Sequence, residues 1–367
     1  MPTFCRHNRF LERCPICSRT LPDHAPAGKR RSRASRGAGQ ASGASTGSEG
    51  IRGNASAGNS TLGARRPRAR GGGETMRVRR ELRAPDDGYR SPLVPGLHAS
   101  SDAASLAEEI AFASGRLARL QAAPPGLFGE IRLLAGEGEL ERATWTCFLT
   151  VYLSPLQGAD PFAGVRLALA RGETPSLDGI PLGPRTSHVQ ARGGETLLAY
   201  RHWAERAGPS SRGPSTSGRS TSGRSTSGRQ AGAFVGEESW TPERRFERVF
   251  ERLALPGFAR MGRYELLVTL GRLGVYELRA GSLHLGTAHG AAPDDLTTLA
   301  AKRIFGIGEP IYLERRALAL AEALSLPIDV LDLAFANWSA RERATLGFSP
   351  ETIDRDARER ARDALGF

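Results

Sequence analysis

The stretch Leu299–Trp338, LAAKRIFGIGEPIYLERRALALAEALSLPIDVLDLAFANW, decides how this chain is read. Ala300, Ile304 and Ile307 share one face of a helix that leads into Phe305-Gly306-Ile307-Gly308. Leu313, Ala317, Leu320, Ala321 and Leu324 then recur at helical spacing, which predicts a second, longer helix. Pro327 breaks that pattern and a short third helix follows. Two glycines between helices permit a tight turn and close approach of another backbone. Free amides at the start of the next helix suit a phosphate. Asp329 and Asp332 lie downstream among apolar residues. Asp329, just after Pro327, is the natural N-cap of the third helix. Asp332, between Leu331 and Leu333, either projects inward or caps, and is the better candidate for chemistry. The plain alternative is two core helices joined by a glycine turn.

Upstream, helical patterns recur. Leu106, Ile110, Ala113, Leu117 and Leu120 define a helix with Ser101 as its N-cap, stopped by Pro124-Pro125. Residues 139–153 are apolar on nearly every side after Thr144 and predict a central buried helix with Cys147 as a core residue. In the next segment Asp160 is placed as a cap with Pro161 at the first helical position. The irregular loop around Gly183-Pro184-Arg185-Thr186-Ser187-His188 either lines an anion site or is an ordinary polar loop. Helices are expected at 195–206, from Thr241-Pro242-Glu243 onward, at 260–273, at 275–279, and from Asp294 or Asp295 into the Gly-x-Gly turn. Ser349-Pro350-Glu351 opens a last, highly charged helix with a solvated face. No strand pattern stands out, so the fold class expected is all-α.

Residues 1–20 hold a different chemistry. Cys5, His7, Cys14 and Cys17 make a Cys-x-His and a Cys-x-x-Cys pair, a closed tetrahedral Cys₃His set suited to structural Zn²⁺. Twenty residues cannot bury a core, so metal would supply the folding energy. Residues 21–75 are a linker with two basic clusters, read as disordered. It serves either as a phosphate tether or as a solubilising segment. A second such insertion, 208–232, repeats Ser-Thr-Ser-Gly-Arg three times and interrupts one helical domain spanning 76–367.

The net charge of +12 points to an anionic partner, most simply nucleic acid. No run is apolar enough to span a bilayer and no signal peptide is legible, so a cytoplasmic, nucleoid-associated protein is expected. Four cysteines, three of them in the first seventeen residues, exclude a disulfide framework. Walker, Rossmann, kinase and serine-nucleophile motifs are missing from the sequence.

The segments FCRHNRFLERCPICS (4–18), DDGYRSPLVPGL (86–97), LSPLQGADPFAGV (153–165), PLGPRTSH (181–188), RIFGIGEPIYLERRALALAEA (303–323) and LDLAFANW (331–338) together resemble the bacterial α-glutamyl/putrescinyl thymine pyrophosphorylase family, closest to its third clade. The likeness runs from about Met76 to Trp338, apart from the serine-rich insertion. It implies a helical core related to helix-hairpin-helix DNA glycosylases. It also implies DNA as partner and an amine such as glutamate or putrescine as co-substrate. That amine would displace pyrophosphate from a modified thymine. By the same likeness Gln157 would probe the duplex or the flipped base, and the amides around Gly306 and Gly308 would hold DNA phosphate. Lys302 and Arg303 stand beside them as DNA-binding candidates, and Asp332 aligns with the glycosylases' catalytic aspartate. Glu309 and Pro310 replace the basic residues usual after such a hairpin, so no lyase lysine is present, and Ala334 replaces a histidine. The alternatives are a monofunctional DNA glycosylase using Asp332 and a non-catalytic DNA-binding scaffold.

Overall fold

Twelve helices carry the described part of the chain, residues 84–172, 175–207, 229–286, 295–340 and 342–367 of a computed structural model. These residues all belong to one unit, Arg77–Phe367. The zinc candidates Cys5, His7, Cys14 and Cys17, the linker 21–75 and most of the insertion 208–232 lie outside them. No strand occurs among the described residues, so the all-α expectation holds there.

The first helix, α1 (Ser100–Ala122), buries Leu106, Ile110, Ala113, Leu117 and Leu120, the stripe read from sequence. Its start differs from expectation. Ala99 is the N-cap, and the cap hydrogen bonds come from a distance, since the Ser100 amide and hydroxyl donate to Oδ2 of Asp87 at 2.9 and 2.5 Å. Ser101 falls inside the first turn. The next two helices, α2 (Leu127–Gly136) and α3 (Leu140–Leu153), pack together, and α3 is buried nearly all round, with Cys147 fully enclosed. Helix α4 (Ala163–Ala170) begins later than expected. Asp160 instead accepts from the Phe162 amide at 3.3 Å and from Arg166 at 2.7 Å, so Pro161 sits in a turn rather than at the first helical position.

Helices α5 (Gly193–Ala207) and α6 (Arg229–Val235) pack against each other on either side of the insertion. Then α7 (Pro242–Arg252) starts where the Thr-Pro-Glu signal placed it, with the Thr241 hydroxyl accepting from the Arg244 amide at 3.2 Å. The following helix, α8 (Arg260–Arg272), crosses α3 and α1. It ends in a Schellman turn: Gly274 takes φ +72°, the Val275 amide reaches Leu270 O at 3.0 Å and the Gly274 amide reaches Gly271 O at 3.0 Å. The helix expected at 275–279 is therefore absent. A Cβ on Gly271 would lie 2.4 Å from Leu278 O, so that segment folds back onto α8 as irregular chain.

The deciding stretch folds as α9 (Leu296–Phe305), a four-residue turn, α10 (Pro310–Ala323) and α11 (Val330–Ser339). Ala300 and Ile304 are buried as read, but Ile307 is 98% exposed, because Gly306 at φ +90° turns the chain outward before it. Asp329 occupies the N-cap position of α11 without capping it. Its carboxylate instead forms a forked pair with Arg272 at 2.7–2.9 Å. The last helix, α12 (Arg355–Leu365), starts six residues after Ser349, with Asp354 accepting from the Ala357 amide at 3.0 Å. The segment Ser349-Pro350-Glu351 is a turn, and α12 lays Ala357, Ala361 and Leu365 into the core. Helices α11 and α12 both pack on α1.

Candidate functional site

The site is assembled at the C-terminal end of α3. Ser154 leaves that helix at φ +61° and ψ +137°, a conformation costing an L-residue about 1–3 kcal/mol, which only surrounding structure can hold. The loop 181–188 provides that hold. Its Gly183 amide donates to Leu153 O at 3.0 Å, the Ser187 amide to Tyr152 O at 2.9 Å, and the Arg185 amide to Ser154 Oγ at 3.3 Å. A Cβ at position 183 would lie 2.1 Å from Pro155 O, so only glycine lets the two segments approach this closely. The zippered loop sends the Arg185 side chain inward, to 6% exposure.

There it meets Asp332. That residue lies in the first turn of α11 on the face packed toward α9, and is 2% exposed. Its Oδ2 accepts from Arg185 Nη2 at 3.1 Å. Its Oδ1 accepts from Arg260 Nη2 and from Thr297 Oγ1, the latter at 3.1 Å. Arg260 also donates Nε to both oxygens of Asp295, at 3.1 and 3.0 Å, and Nη1 to Leu283 O at 2.6 Å. Burial by itself would raise the pKa of Asp332. The charges of Arg260 and Arg185, with their hydrogen bonds, outweigh it and hold the carboxyl below the ordinary aspartate value. The result is an ionised carboxylate with both oxygens engaged.

Arg185 links this cluster to a small cavity of about 10 Å³, lined also by Arg116, Ser154, Pro155, Gly262, Glu265 and Leu346. Arg116 on α1 is 1% exposed and pairs through Nη2 with Oε1 of Glu265, which also accepts from Thr269 Oγ1 at 3.1 Å. Helix α8 thus serves both clusters: Arg260 near its start reaches Asp332, and Glu265 one and a half turns on reaches Arg116.

Residues 229–348 match the family model described as alpha-glutamyl/putrescinyl thymine pyrophosphorylase clade 3. This segment belongs to that clade. No curated protein and no solved structure matches the chain. The clade 3 segment contains Arg260, Glu265, Asp295, Thr297, Asp332 and Leu346, whereas Arg116, Ser154 and Arg185 precede it. The clustered residues therefore come from both sides of the match boundary.

The candidates read from sequence are distributed around this centre. Gln157, exposed at the end of the LSPLQ segment, donates Nε2 to Arg343 O at 2.5 Å and accepts from Thr345 Oγ1 at 2.6 Å. It ties down the strap 343–346, whose Leu346 lines the cavity. The turn 306–309 is remote from Asp332: Thr297 in the first turn of α9 and Gly306 at its C-cap are nine residues apart, about 13 Å of helix. Gly306 is half-buried and Gly308 exposed; Lys302 and Arg303 are half-buried near the end of α9, with Arg303 Nη1 3.3 Å from Ser339 Oγ. Among the described residues no group of three His, Cys, Asp or Glu side chains is placed to hold a metal.

Four participants were not singled out in the sequence: Arg116, Arg260, Glu265 and Thr297. A signal existed for two of them, since Arg116 and Glu265 are charged positions within otherwise buried helical runs, whereas Arg260 opens its helix. Arg185 was visible only as one member of a polar loop.

Proposed function

We propose that this protein modifies a pyrimidine base in DNA, displacing pyrophosphate from a pyrophosphorylated 5-hydroxymethyluracil with an amine. The clade 3 match is the observation that carries the reading, because it covers the segment supplying most of the buried cluster. In the reaction the amine nitrogen bonds to the exocyclic methylene carbon and the carbon–oxygen bond breaks. Pyrophosphate leaves with the electron pair, and the nitrogen releases a proton to solvent or a base. The glycosidic bond stays intact. Asp332 acts in this scheme by fixing Arg185 and Arg260, since its two oxygens are already occupied. Gln157 holds the strap over the site and meets the base when the strap is displaced.

DNA is the partner, and the net charge of +12 favours a polyanion. The turn between α9 and α10 acts as a helix-hairpin-helix grip in which Gly306 and Gly308 present amides to a backbone phosphate, with Lys302 and Arg303 adding charge. Glu309 and Pro310 weaken that grip. Cys5, His7, Cys14 and Cys17 hold one structural Zn²⁺, on the chemistry of three thiolates and an imidazole. The protein acts at the nucleoid; among the described residues no helix is long and apolar enough to cross a membrane.

The glycosylase alternative asks Asp332 to stabilise a cationic sugar. A carboxylate already neutralised by two guanidinium groups is poorly suited to that task. Mass spectrometry of nucleosides decides between the readings, using the full chain with DNA carrying the pyrophosphorylated base and glutamate or putrescine. Loss of pyrophosphate with gain of the amine is expected. Release of a free base would establish the glycosylase reading, and an unchanged nucleoside pool the scaffold.

A further inference from the structure

Among the described residues, exposed large apolar side chains crowd onto one hairpin. Of ten, five fall within 299–318: Leu299, Ile307, Ile311, Tyr312 and Leu318. Ile307 is 98% exposed, Tyr312 60% and Ile311 58%. Apolar side chains scattered singly over a surface are ordinary, whereas a cluster marks a contact surface. On α10 the exposed residues follow helical spacing. Ile311, Arg315 and Leu318 lie at i, i+4 and i+7, and Tyr312 with Arg316 forms the neighbouring row. The other side of the helix, with Leu313, Ala317, Leu320 and Ala321, is buried in the core, so this face is held toward solvent.

The turn that carries Ile307 is braced on both sides. Behind it the Gly96 amide donates to Ile304 O at 2.9 Å, in an approach so close that a Cβ on Gly96 would lie 2.1 Å from Arg303 O. Ahead of it Pro310 fixes the first turn of α10. A side chain held out on a fixed turn is ordered before it binds. Charge selects the partner. Of the two acids between 299 and 318, Glu314 turns inward to accept from the Leu283 and Leu285 amides at 2.8 and 2.6 Å, which leaves Glu309. Against it stand Lys302, Arg303, Arg315 and Arg316. Apolar and aromatic side chains set among arginines suit flat apolar rings strung on phosphates. Stacking covers those ring faces in a paired duplex, so the fit is to bases that are unpaired. A stable protein interface takes roughly 20–30 residues a side, far more than this face offers.

We propose that the α9–α10 hairpin is a binding face for unstacked bases of DNA, with Ile307 and Tyr312 against the base faces and Arg315 and Arg316 on the flanking phosphates. The assignment rests on the DNA partner proposed above and deepens it. Amides of the turn address a phosphate, which any DNA offers, whereas these side chains select a strand whose bases are accessible.

The test measures binding by the full chain to a fluorescein-labelled duplex and to the same duplex carrying a short unpaired bulge. Wild type should bind the bulged DNA about tenfold more tightly, as one or two stacking contacts allow. Tyr312→Ala and Ile307→Ser should each weaken binding to the bulged DNA about fivefold or more while barely changing binding to the paired duplex. Both side chains are exposed, so the melting temperature should stay at the wild-type value. Tyr312→Phe keeps the ring and should bind as wild type does. Replacing Arg315 and Arg316 together by Ala should weaken binding to both DNAs and flatten the salt dependence. Equal wild-type affinity for the two DNAs, or a Tyr312→Ala variant that still prefers the bulge, would overturn the assignment and leave the DNA partner standing. Binding to neither would overturn both. A wild-type dimer in sedimentation that Ile307→Ser dissociates would give the face to a second copy. Binding to phosphatidylglycerol vesicles that the same variant loses would give it to a membrane, and either result would overturn the assignment.

Discussion

Arg185 donates from Nη2 to Asp332 Oδ2 at 3.1 Å, across 147 positions of sequence. Both side chains are buried, at 6% and 2% exposure, so neither charge has water to fall back on. Replacing Asp332 by Asn leaves two guanidinium groups facing a neutral amide and should lower stability by about 3–5 kcal/mol. Combined with Arg185→Met, the loss should fall short of the sum of the single changes by about 1–3 kcal/mol. Urea denaturation of the two single variants and the double variant measures this coupling, and additive losses would show that the pair is energetically idle.

Gly183 tests how the loop 181–188 is held. An alanine Cβ there would lie 2.1 Å from Pro155 O and 2.6 Å from Ser154 O, both backbone atoms that cannot swing aside. Gly183→Ala should cost at least about 1–3 kcal/mol, as overpacking does, and should cut transfer activity by displacing Arg185. Gly194→Ala is the control. It lies within α5 with nothing within 4 Å of the added Cβ, and should be neutral or stabilising by up to about 1 kcal/mol. Thermal melts of both variants settle the contrast.

His284 predicts the acid limb of the stability curve. It stacks on Phe250 with ring centroids 4.2 Å apart. Burial, and then the charges of Arg260 and Arg263, lower its pKa from 6.5 to about 4. The unfolded chain therefore binds this proton more readily than the folded one. Stability is full above the unfolded value of 6.5 and is lost as pH falls toward the folded value of about 4, by roughly 3 kcal/mol in all. His188, whose pKa burial also lowers, adds to the same slope. Urea midpoints at pH 7 and pH 5 should differ clearly for wild type and much less for His284→Phe. An equal difference in both proteins would assign the slope to other groups.

Lys302 reports on the hairpin. It is half-buried near the end of α9, away from the ion-pair cluster. Lys302→Ala should leave the melting temperature nearly unchanged. It should weaken DNA binding a few-fold and reduce the slope of log affinity against log salt by about one phosphate contact. Anisotropy titrations across a salt series measure both, and an unchanged slope would place the backbone contact elsewhere.

Metal analysis of the full chain should return about one zinc per molecule, and Cys14→Ser should abolish it. A value well below one in protein purified without chelators would remove the Cys₃His site from the account.

The helical class was legible because apolar periodicity is a local property. Residues on the faces of α1, α3 and α10 follow their spacing directly, and Thr241 caps α7 with its own side chain. Errors arose where a distant group intervened. Ser101 lost its capping role because Asp87, thirteen residues before Ser100, reaches that helix start first. Asp329 gave up its capping bond because Arg272 of α8 offers two charge-assisted ones. The segment 275–279 failed to continue a helix because Gly274 turns left-handed and returns the chain onto Gly271.

By itself the sequence determined an all-α unit, the Gly306 turn, Asp332 as the acid to watch and a clade resemblance that the match over 229–348 supports. Apart from the resemblance, which joins segments spread along the chain, each rests on neighbours a few residues apart. Only the tertiary structure decided what Asp332 touches. Arg185, Arg260, Thr297 and, through Arg260, Asp295 converge on it from three separate segments, and no spacing rule encodes which buried charges will meet. That convergence makes Asp332 a fixed, neutralised anchor with both of its oxygens engaged.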